Sequence, residues 1–280
     1  MNPLMYIKEH MEQLTKQEQR VANYVVNNPV EAVQLNAKQI GDKTNTSSAT
    51  VIRFVKKMHY KGFNEFKVNI SRHIPDEDIS IFKKIEKDET IDTLKNKLIS
   101  RAQYSMEMTS KLLVEAEIES LVSAIEASKC IIVYGIGASY LVAQDFYQKF
   151  LRLGINVQCI LDTHLISGNI ATHKDNTLFI GISSGGQSDE IQKLLKMSKH
   201  YTAKTAIITS NAESALKDYS DIMVLHDAST EESLRYAATS SLMSQLFTID
   251  VIFYTYLVRH YETNMKMIND TKEAVIKYKS

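Results

Sequence analysis

The sequence has little of what marks a secreted, metal-binding or membrane protein. Its 280 residues include two cysteines, Cys130 and Cys159, which are too few and too far apart for a disulfide framework or a CxxC metal site. The eight histidines form neither an HExxH motif nor a cluster, so we expect no metal and no cofactor. Polar residues interrupt the apolar runs well short of a membrane span, and the N-terminus lacks the residue order of a signal peptide. We therefore expect a soluble cytoplasmic protein with both thiols buried.

The formal net charge is zero, but the charge is divided unevenly along the chain. Residues 1–73 hold 11 Lys and Arg against 6 Asp and Glu, a net charge of +5, and the remainder carries −5. This asymmetry is typical of two domains, of which the basic one contacts a polyanion. A chain of this length can form one large domain or two ordinary ones.

A strand, a small-residue turn and a helix follow one another between residues 176 and 200. The apolar run Thr177–Ile182 predicts a strand buried on both faces. The turn Gly181–Ser188 consists mainly of glycine and serine, which let the backbone approach a ligand and supply short donors. The following helix offers free N–H groups at its N-terminus. The pattern predicts an anion site, usually for phosphate, although an ordinary capped turn has the same composition.

A second turn of this kind, Gly135–Tyr140, follows a predicted strand at 130–134. It is not a dinucleotide fingerprint, because the third glycine of that motif would fall at Tyr140. Gly135 and Gly137 allow a tight turn, and Ser139 can cap the next helix and reach a ligand. Ligands of open α/β sheets bind beyond the carboxyl ends of the strands, where both turns lie. Two convergent turns favour a phosphorylated small molecule.

Strands and helices alternate from residue 129 onward, which predicts an α/β fold with a parallel sheet and helices on both faces. Helices at about 90–114 and from Ile118 to Ile125 precede the sheet, and a long helix at about 233–261 follows it. The predicted strands span residues 130–134, 157–161, 177–182, 205–209 and 222–225.

Two short helices, 37–43 and 48–58, lie close together near the N-terminus, joined by a turn in which Asn45 is best able to adopt a left-handed conformation. The second helix has a buried stripe that includes Val51 and Phe54. The interpretation as a helix-turn-helix, whose second helix enters the DNA major groove, competes with a solvated face on a small helical bundle. The residues expected on the opposite, exposed face are Thr50, Arg53 and Lys57, with Lys56 beside them.

The stretches Ser47-Ser-Ala-Thr-Val-Ile-Arg-Phe-Val-Lys-Lys57 and Lys61-Gly-Phe-Asn-Glu-Phe-Lys67 resemble the helix-turn-helix of RpiR-type bacterial transcriptional regulators. Asn45 and His59 stand where that family has glycine, and both residue types tolerate a left-handed backbone. The resemblance implies groove contacts by Thr50, Arg53 and Lys57, and phosphate contacts or capping by Ser47 and Ser48. The implied DNA-binding set is Ser47, Ser48, Thr50, Arg53, Lys56 and Lys57.

The motifs Gly135-x-Gly-x-Ser139 and Ile182-Ser183, with Gly186-x-Ser188-x-Glu190, resemble the sugar isomerase (SIS) domain, which binds phosphosugars, and Gln245-Leu-x-x-x-Asp250 is consistent with it. The resemblance implies a three-layer αβα domain and a phosphosugar effector. The implied effector-binding residues are Gly137, Ser139, Ser183, Ser184, Gly186, Gln187 and Ser188. Gly185 replaces a family serine and Leu242 an arginine, so the site holds phosphate with one hydroxyl fewer or takes another effector.

We expect a helix-turn-helix domain at 1–75, a charged linker at 76–89 and a SIS domain at 90–280. The leading hypothesis is a DNA-binding regulator, a homodimer or higher oligomer without membrane association, that senses a phosphosugar. One alternative is a phosphosugar isomerase, which needs a carboxylate or histidine to move a proton. The available groups are Glu190, Glu231, Glu232, His164 and His226. A scaffold protein whose SIS site binds nothing is the other alternative, and Gly185 is its specific support.

Overall fold

The computed structural model describes residues 3–71, 85–230 and 238–279. The chain divides into two compact units, residues 1–100 and 101–280. Most of the linker predicted at 76–89 lies outside the described residues, so its limits and those of the two domains stay a prediction.

The first unit is helical and is built around one apolar cluster. The side chains of Val21, Phe54 and Phe66 are almost completely buried in it. Its helices are α1 Pro3–Glu9, α2 Lys16–Asn27, α3 Pro29–Gln34, α4 Ala37–Lys43, α5 Ser48–Lys57 and α6 Phe63–Ser71.

The helix-turn-helix forms as its local sequence dictates. The side chains of Asn36 and Ser47 accept hydrogen bonds from backbone N–H groups in the first turns of α4 and α5, which begins both helices. Asn45, between them, has a φ of +50°, and His59, after α5, has a φ of +65°. The predicted left-handed turn at Asn45 is therefore confirmed, and His59 adopts the conformation that its side chain tolerates.

Among the described residues, the second unit contains most of α7 and all later α-helices and strands. These are α7 Ile91–Leu112, α8 Glu115–Ala127, β1 Cys130–Gly135, α9 Ala138–Leu151, β2 Val157–Gln158, α10 Thr163–His173, β3 Thr177–Ile182, α11 Asp189–His200, β4 Lys204–Thr209, β5 Ile222–Leu225, α12 Ser240–Arg259 and α13 Tyr261–Lys279.

All five strands are parallel, in the order β2-β1-β3-β4-β5. One face of the sheet packs on α8, α9 and α12, and the other packs on α10 and α11. The predicted three-layer α/β fold is confirmed. The strand order reverses at β1, so β1 and β3 flank the topological switch point where doubly wound folds bind ligands.

Two predicted elements differ from the observed ones. The strand predicted at 157–161 is confined to Val157 and Gln158, the residues that pair with β1 at the edge of the sheet. The last long helix begins at Ser240, whereas its predicted start at 233 lies outside the described residues.

By length and composition, α12 could cross a membrane, and half of it is buried. Ile249, Ile252 and Tyr256 pack into the core against the sheet. Apolarity of this kind is shared by core helices of globular domains.

Candidate functional site

A small cavity of about 160 Å³ lies where β1 and β3 end. The turn after β1, the turn after β3 and the first two turns of α12 enclose it. The lining residues are Ile136, Ala138, Ser139, Ser183, Ser184, Gly185, Ser241, Leu242 and Gln245. The structure thus brings together Ser139, Ser183 and Ser184 from the predicted effector set.

The buried Ser139 hydroxyl is held at the cavity by α12. Its Oγ donates a hydrogen bond to Oε1 of Gln245 over 3.4 Å, a weak contact at the long end of the usual range. Ser183 is half-buried and directs its backbone N–H to the carbonyl of Ile208. Two of the three serines therefore have known local roles, with Ser139 contributing a side chain and Ser183 a backbone anchor.

The turn after β3 is fixed from the side of β4. The carbonyl oxygen of Ser184 accepts hydrogen bonds from the hydroxyls of Thr209 and Ser210 and from the Ser210 N–H, at 2.7 to 3.2 Å. Gly186 has a φ of +64°, and a Cβ there would lie 2.6 Å from the Ser214 hydroxyl oxygen. These contacts hold the loop in one backbone conformation beside the cavity.

The other predicted effector residues do not line the cavity. Gly137, with a φ of +61°, is the N-cap of α9. Ser188 caps α11 by accepting the Ile191 N–H, and its hydroxyl donates to Glu190. Gly186 and Gln187 lie in the intervening turn, which leaves their effector roles as predictions.

The cavity is also lined by residues of α12 that were not predicted as effector-binding residues. Gln245 lies three positions after Leu242 and four after Ser241, which places it on the same side of the helix as both. Leu242 and Gln245 had a signal in the sequence, as part of the SIS resemblance, and Ser241 had none. Because α12 begins about sixty residues after β3 ends, no local sequence pattern indicates which face of α12 meets the turns.

The groups considered for proton transfer lie apart from the described lining. Glu190 is exposed, and its own backbone N–H and the Ser188 hydroxyl lower the pKa of its carboxyl. His164 is exposed on α10. His226 is 1% exposed and lies behind the lining, with Nε2 3.2 Å from Nε2 of Gln245. Glu231 and Glu232 lie outside the described residues.

Burial also makes both thiols poor nucleophiles. It raises the pKa of Cys130 on β1 and raises that of Cys159, after β2, to about 11. Neither is paired in a disulfide. The prediction of burial holds for Cys130, whereas Cys159 is half-buried.

In the first unit, α5 presents a basic exposed surface. Arg53 and Lys56 are exposed, as are Ser47 and Ser48 at its start. Ser47 is the N-cap, because its side chain accepts the Thr50 N–H over 3.1 Å. The exposed cations suit contact with a phosphate backbone or base edges.

Thr50 was predicted to lie on the exposed face of the second helix, and this prediction is wrong. It is 1% exposed, and its hydroxyl contacts Ser47, Gln17 of α2 and the guanidinium of Arg53 at 3.0 to 3.5 Å. The helical period places it opposite the apolar stripe, but α2 covers that position. Its side chain supports Arg53 rather than facing solvent.

Lys57 is partly engaged within the unit. Its ammonium donates to the carbonyl of Gln13 over 2.7 Å and pairs with the buried carboxylate of Glu18 over 3.3 Å. Burial alone would raise the pKa of Glu18, but hydrogen bonds with Thr15 and Lys57 lower it below 4.5. Lys57 thus fixes α5 to α2 while remaining 40% exposed.

Two family models match the chain. The one described as a helix-turn-helix domain of the rpiR family matches residues 1–77, and the SIS domain model matches residues 124–254. The first match contains α5, and the second contains the whole sheet and the cavity.

Relatives align with nearly the whole chain. YbbH of Bacillus subtilis, named an uncharacterized HTH-type transcriptional regulator, is 29% identical over 272 residues, which is 97% of this chain and 96% of the relative. The HTH-type transcriptional regulator HexR of Escherichia coli is 23% identical over 273 residues, 96% of this chain and 94% of the relative.

Solved structures share the fold. NanR of Vibrio vulnificus, complexed with ManNAc-6P, superposes with a TM-score of 0.62 at 23% identity and 99% coverage of both chains. The sugar isomerase domain of an RpiR transcription factor from Sphaerobacter thermophilus superposes with a TM-score of 0.58 at 17% identity, covering 64% of this chain and 98% of that one.

Proposed function

We propose that this chain, which matches the rpiR-family helix-turn-helix and SIS domain models, is an RpiR-type transcriptional regulator in which α5 reads operator DNA and the cavity after β1 and β3 senses a phosphorylated sugar. The observation that carries the proposal is the pairing of a basic, exposed helix-turn-helix with a serine-lined cavity at a sheet switch point. A helix-turn-helix regulator binds DNA, and the cavity supplies the site for a signal.

DNA contact is assigned to the exposed residues of α5. Arg53 and Lys56 provide the cations, and Ser47 and Ser48 lie at the helix start, where hydroxyls contact phosphate in many complexes. Thr50 acts through Arg53. Lys57 contributes charge from its position against Glu18.

The effector class follows from the chemistry of the cavity. Hydroxyls and backbone N–H groups at a strand-to-helix turn suit an anion, and NanR of Vibrio vulnificus, which shares the fold, binds ManNAc-6P. A cavity of about 160 Å³ is smaller than a pocket for a whole drug-sized ligand. We therefore assign it to the phosphate-bearing end of the sugar, with Gly185 removing one family hydroxyl from the grip.

Assembly and location follow from the function. A helix-turn-helix regulator usually reads palindromic half-sites as a symmetric dimer, so we assign a homodimer or higher oligomer that acts on DNA in the cytoplasm. The sugar changes DNA affinity only if it binds the two states of the assembly differently.

The isomerase alternative has weaker support. The relatives that align with the whole chain carry the names of transcriptional regulators. Among the described residues, the cavity lining offers hydroxyl, amide and apolar groups, which bind a sugar phosphate but do not move a proton between its carbons.

A thermal-shift screen of the full chain against sugar phosphates tests the effector assignment, with each parent sugar and inorganic sulfate as controls. A ligand at one hundred times its Kd stabilises the folded state by about 2.7 kcal/mol, which corresponds to several degrees in Tm. We expect at least one sugar phosphate to raise Tm while its parent sugar does not. Equal behaviour of every phosphate and its parent sugar would contradict phosphosugar sensing.

A further inference from the structure

A buried chain of hydrogen bonds runs from the cavity to α7. It starts at the Ser139 hydroxyl, passes through Gln245 and His226, and ends on Thr109 of α7. We propose that this chain reports the occupancy of the cavity to α7, with Gln245 and His226 as its positioning residues. The inference rests on the proposed function, because it describes what happens when that same cavity is filled.

The directions of the hydrogen bonds follow from one fixed acceptor. Nδ1 of His226 lies 3.0 Å from the carbonyl oxygen of Asp227, and a carbonyl can only accept. Nδ1 therefore carries a proton, and in the neutral ring Nε2 accepts from the side-chain N–H of Gln245. The amide oxygen of Gln245 then faces Ser139 as an acceptor.

The far end of the chain is anchored on α7. The backbone N–H of Asp227 donates to the Thr109 hydroxyl over 3.0 Å, and that hydroxyl donates to the carbonyl of Ser105 over 2.7 Å. Ser105 also contacts the Thr230 hydroxyl at 2.8 Å and accepts from Ser244 of α12. The Ser105 and Thr109 side chains are completely buried, so their polar groups depend on these partners.

The trigger is the proton of Ser139. In the structure this proton is directed to Gln245, which leaves lone pairs of the hydroxyl toward the cavity. A phosphate oxygen is an acceptor and requires that proton, so binding turns the hydroxyl away from Gln245. The amide loses one of its two partners, and the restraint on His226 and Asp227 weakens. In this respect Ser139→Ala reproduces the occupied state without any ligand.

Contiguous contacts transmit a change only if their two ends respond to each other, and hydrogen exchange of the full chain measures that response. We expect Ser139→Ala to accelerate amide exchange in residues 226–230 and 103–112 by about fivefold, the equivalent of one hydrogen bond. Gln245→Met, which removes both amide contacts at similar length, should act likewise. Ser183→Ala removes another cavity hydroxyl that is not part of the hydrogen-bond chain, and it should leave amide exchange in residues 103–112 unchanged.

Two threonine backgrounds test the path. With Thr109→Val, the additional effect of Ser139→Ala on 103–112 should disappear. With Thr248→Val the effect should persist. Thr248 is equally buried and donates to the carbonyl of Ser244, but it is not part of the hydrogen-bond chain from Ser139 to Thr109. Equal α7 exchange in the Ser139 and Ser183 variants, or a Ser139 effect that survives Thr109→Val, would overturn the proposal. No sugar is present, so this result is independent of the thermal-shift screen.

Discussion

Two adjacent glycines in the turn after β3 have opposite tolerances. A Cβ at Gly185 would have no neighbouring heavy atom within 4 Å, and its φ is not positive. At Gly186 a Cβ would overlap the Ser214 side chain, and φ is +64°. Gly186 is required by the backbone, whereas Gly185 leaves open space beside the cavity.

Gly185→Ser should therefore fold normally and strengthen phosphosugar binding. A hydroxyl at this position can donate to the phosphate, and hydrogen bonds to charged groups contribute about 1.5–3 kcal/mol, roughly a tenfold or greater gain in affinity. Titration calorimetry with a sugar phosphate that raises Tm would measure it. The matched variant Gly186→Ser should lower Tm without ligand. Unchanged affinity in a folded Gly185→Ser protein would place the phosphate elsewhere.

Residue-level prediction succeeded where the determinants are local. The left-handed conformation of Asn45 follows from its position in a three-residue turn between two helices. The burial of Thr50 does not, because it depends on Gln17, which is 33 residues away. Gln245 was likewise visible only through a resemblance, since its contact with Ser139 joins elements 106 residues apart.

At the scale of elements, α2 and α5 are joined by a buried carboxylate. Glu18 caps α2 through Thr15 and pairs with Lys57 of α5. The same carboxylate thus begins α2 and positions α5, the helix that we propose reads DNA.

Acid should weaken this junction. The folded-state pKa of Glu18 lies below its ordinary value of 4.5, so its contribution to stability is full above that value and is lost as pH falls through the folded-state pKa. Thermal unfolding of the full chain between pH 7 and pH 3.5, followed at the first unit, measures the loss. Glu18→Gln should be less stable at pH 7 and show a shallower decline with acid. An identical decline in both proteins would contradict this role.

The exposure of Arg53 on α5, together with the proposed DNA contact, predicts a specific effect on DNA binding. Arg53→Ala should weaken binding to a selected operator duplex by about 1–3 kcal/mol if the guanidinium reads a guanine. Fluorescence anisotropy provides the affinity. Lys111→Ala removes an exposed cation from α7 in the other unit and should leave the affinity unchanged. Equal affinities for the wild type and Arg53→Ala would exclude Arg53 from the interface.

Elements with a strong period were predicted closely, and the edge of the sheet was not. The strand Thr177–Ile182 and the helix Ala37–Lys43 have the predicted limits. β2 is shorter than predicted because the chain pairs with β1 only at Val157 and Gln158, although β1 itself continues to Gly135. That limit is set by pairing across the sheet, which periodicity does not contain.

At the scale of the whole molecule, the distribution of charge follows the division of the chain into two domains. The basic N-terminal part contains the helix-turn-helix, and the acidic remainder contains the parallel sheet and its cavity. Alternation of strands and helices predicted the parallel sheet. The strand order, which makes β1 and β3 neighbours and creates the cavity, depends on contacts between distant segments.

Under the proposed function, one chain couples sugar binding to DNA binding. The most direct measurement is the Kd for a duplex selected by the protein from a random pool, with and without a sugar phosphate that raises Tm. We expect the sugar phosphate to change this Kd at least fivefold, and the duplex to change the sugar affinity by the same factor, as linkage requires. A sugar phosphate that saturates the protein and leaves the Kd for DNA unchanged would contradict the coupling of the two sites.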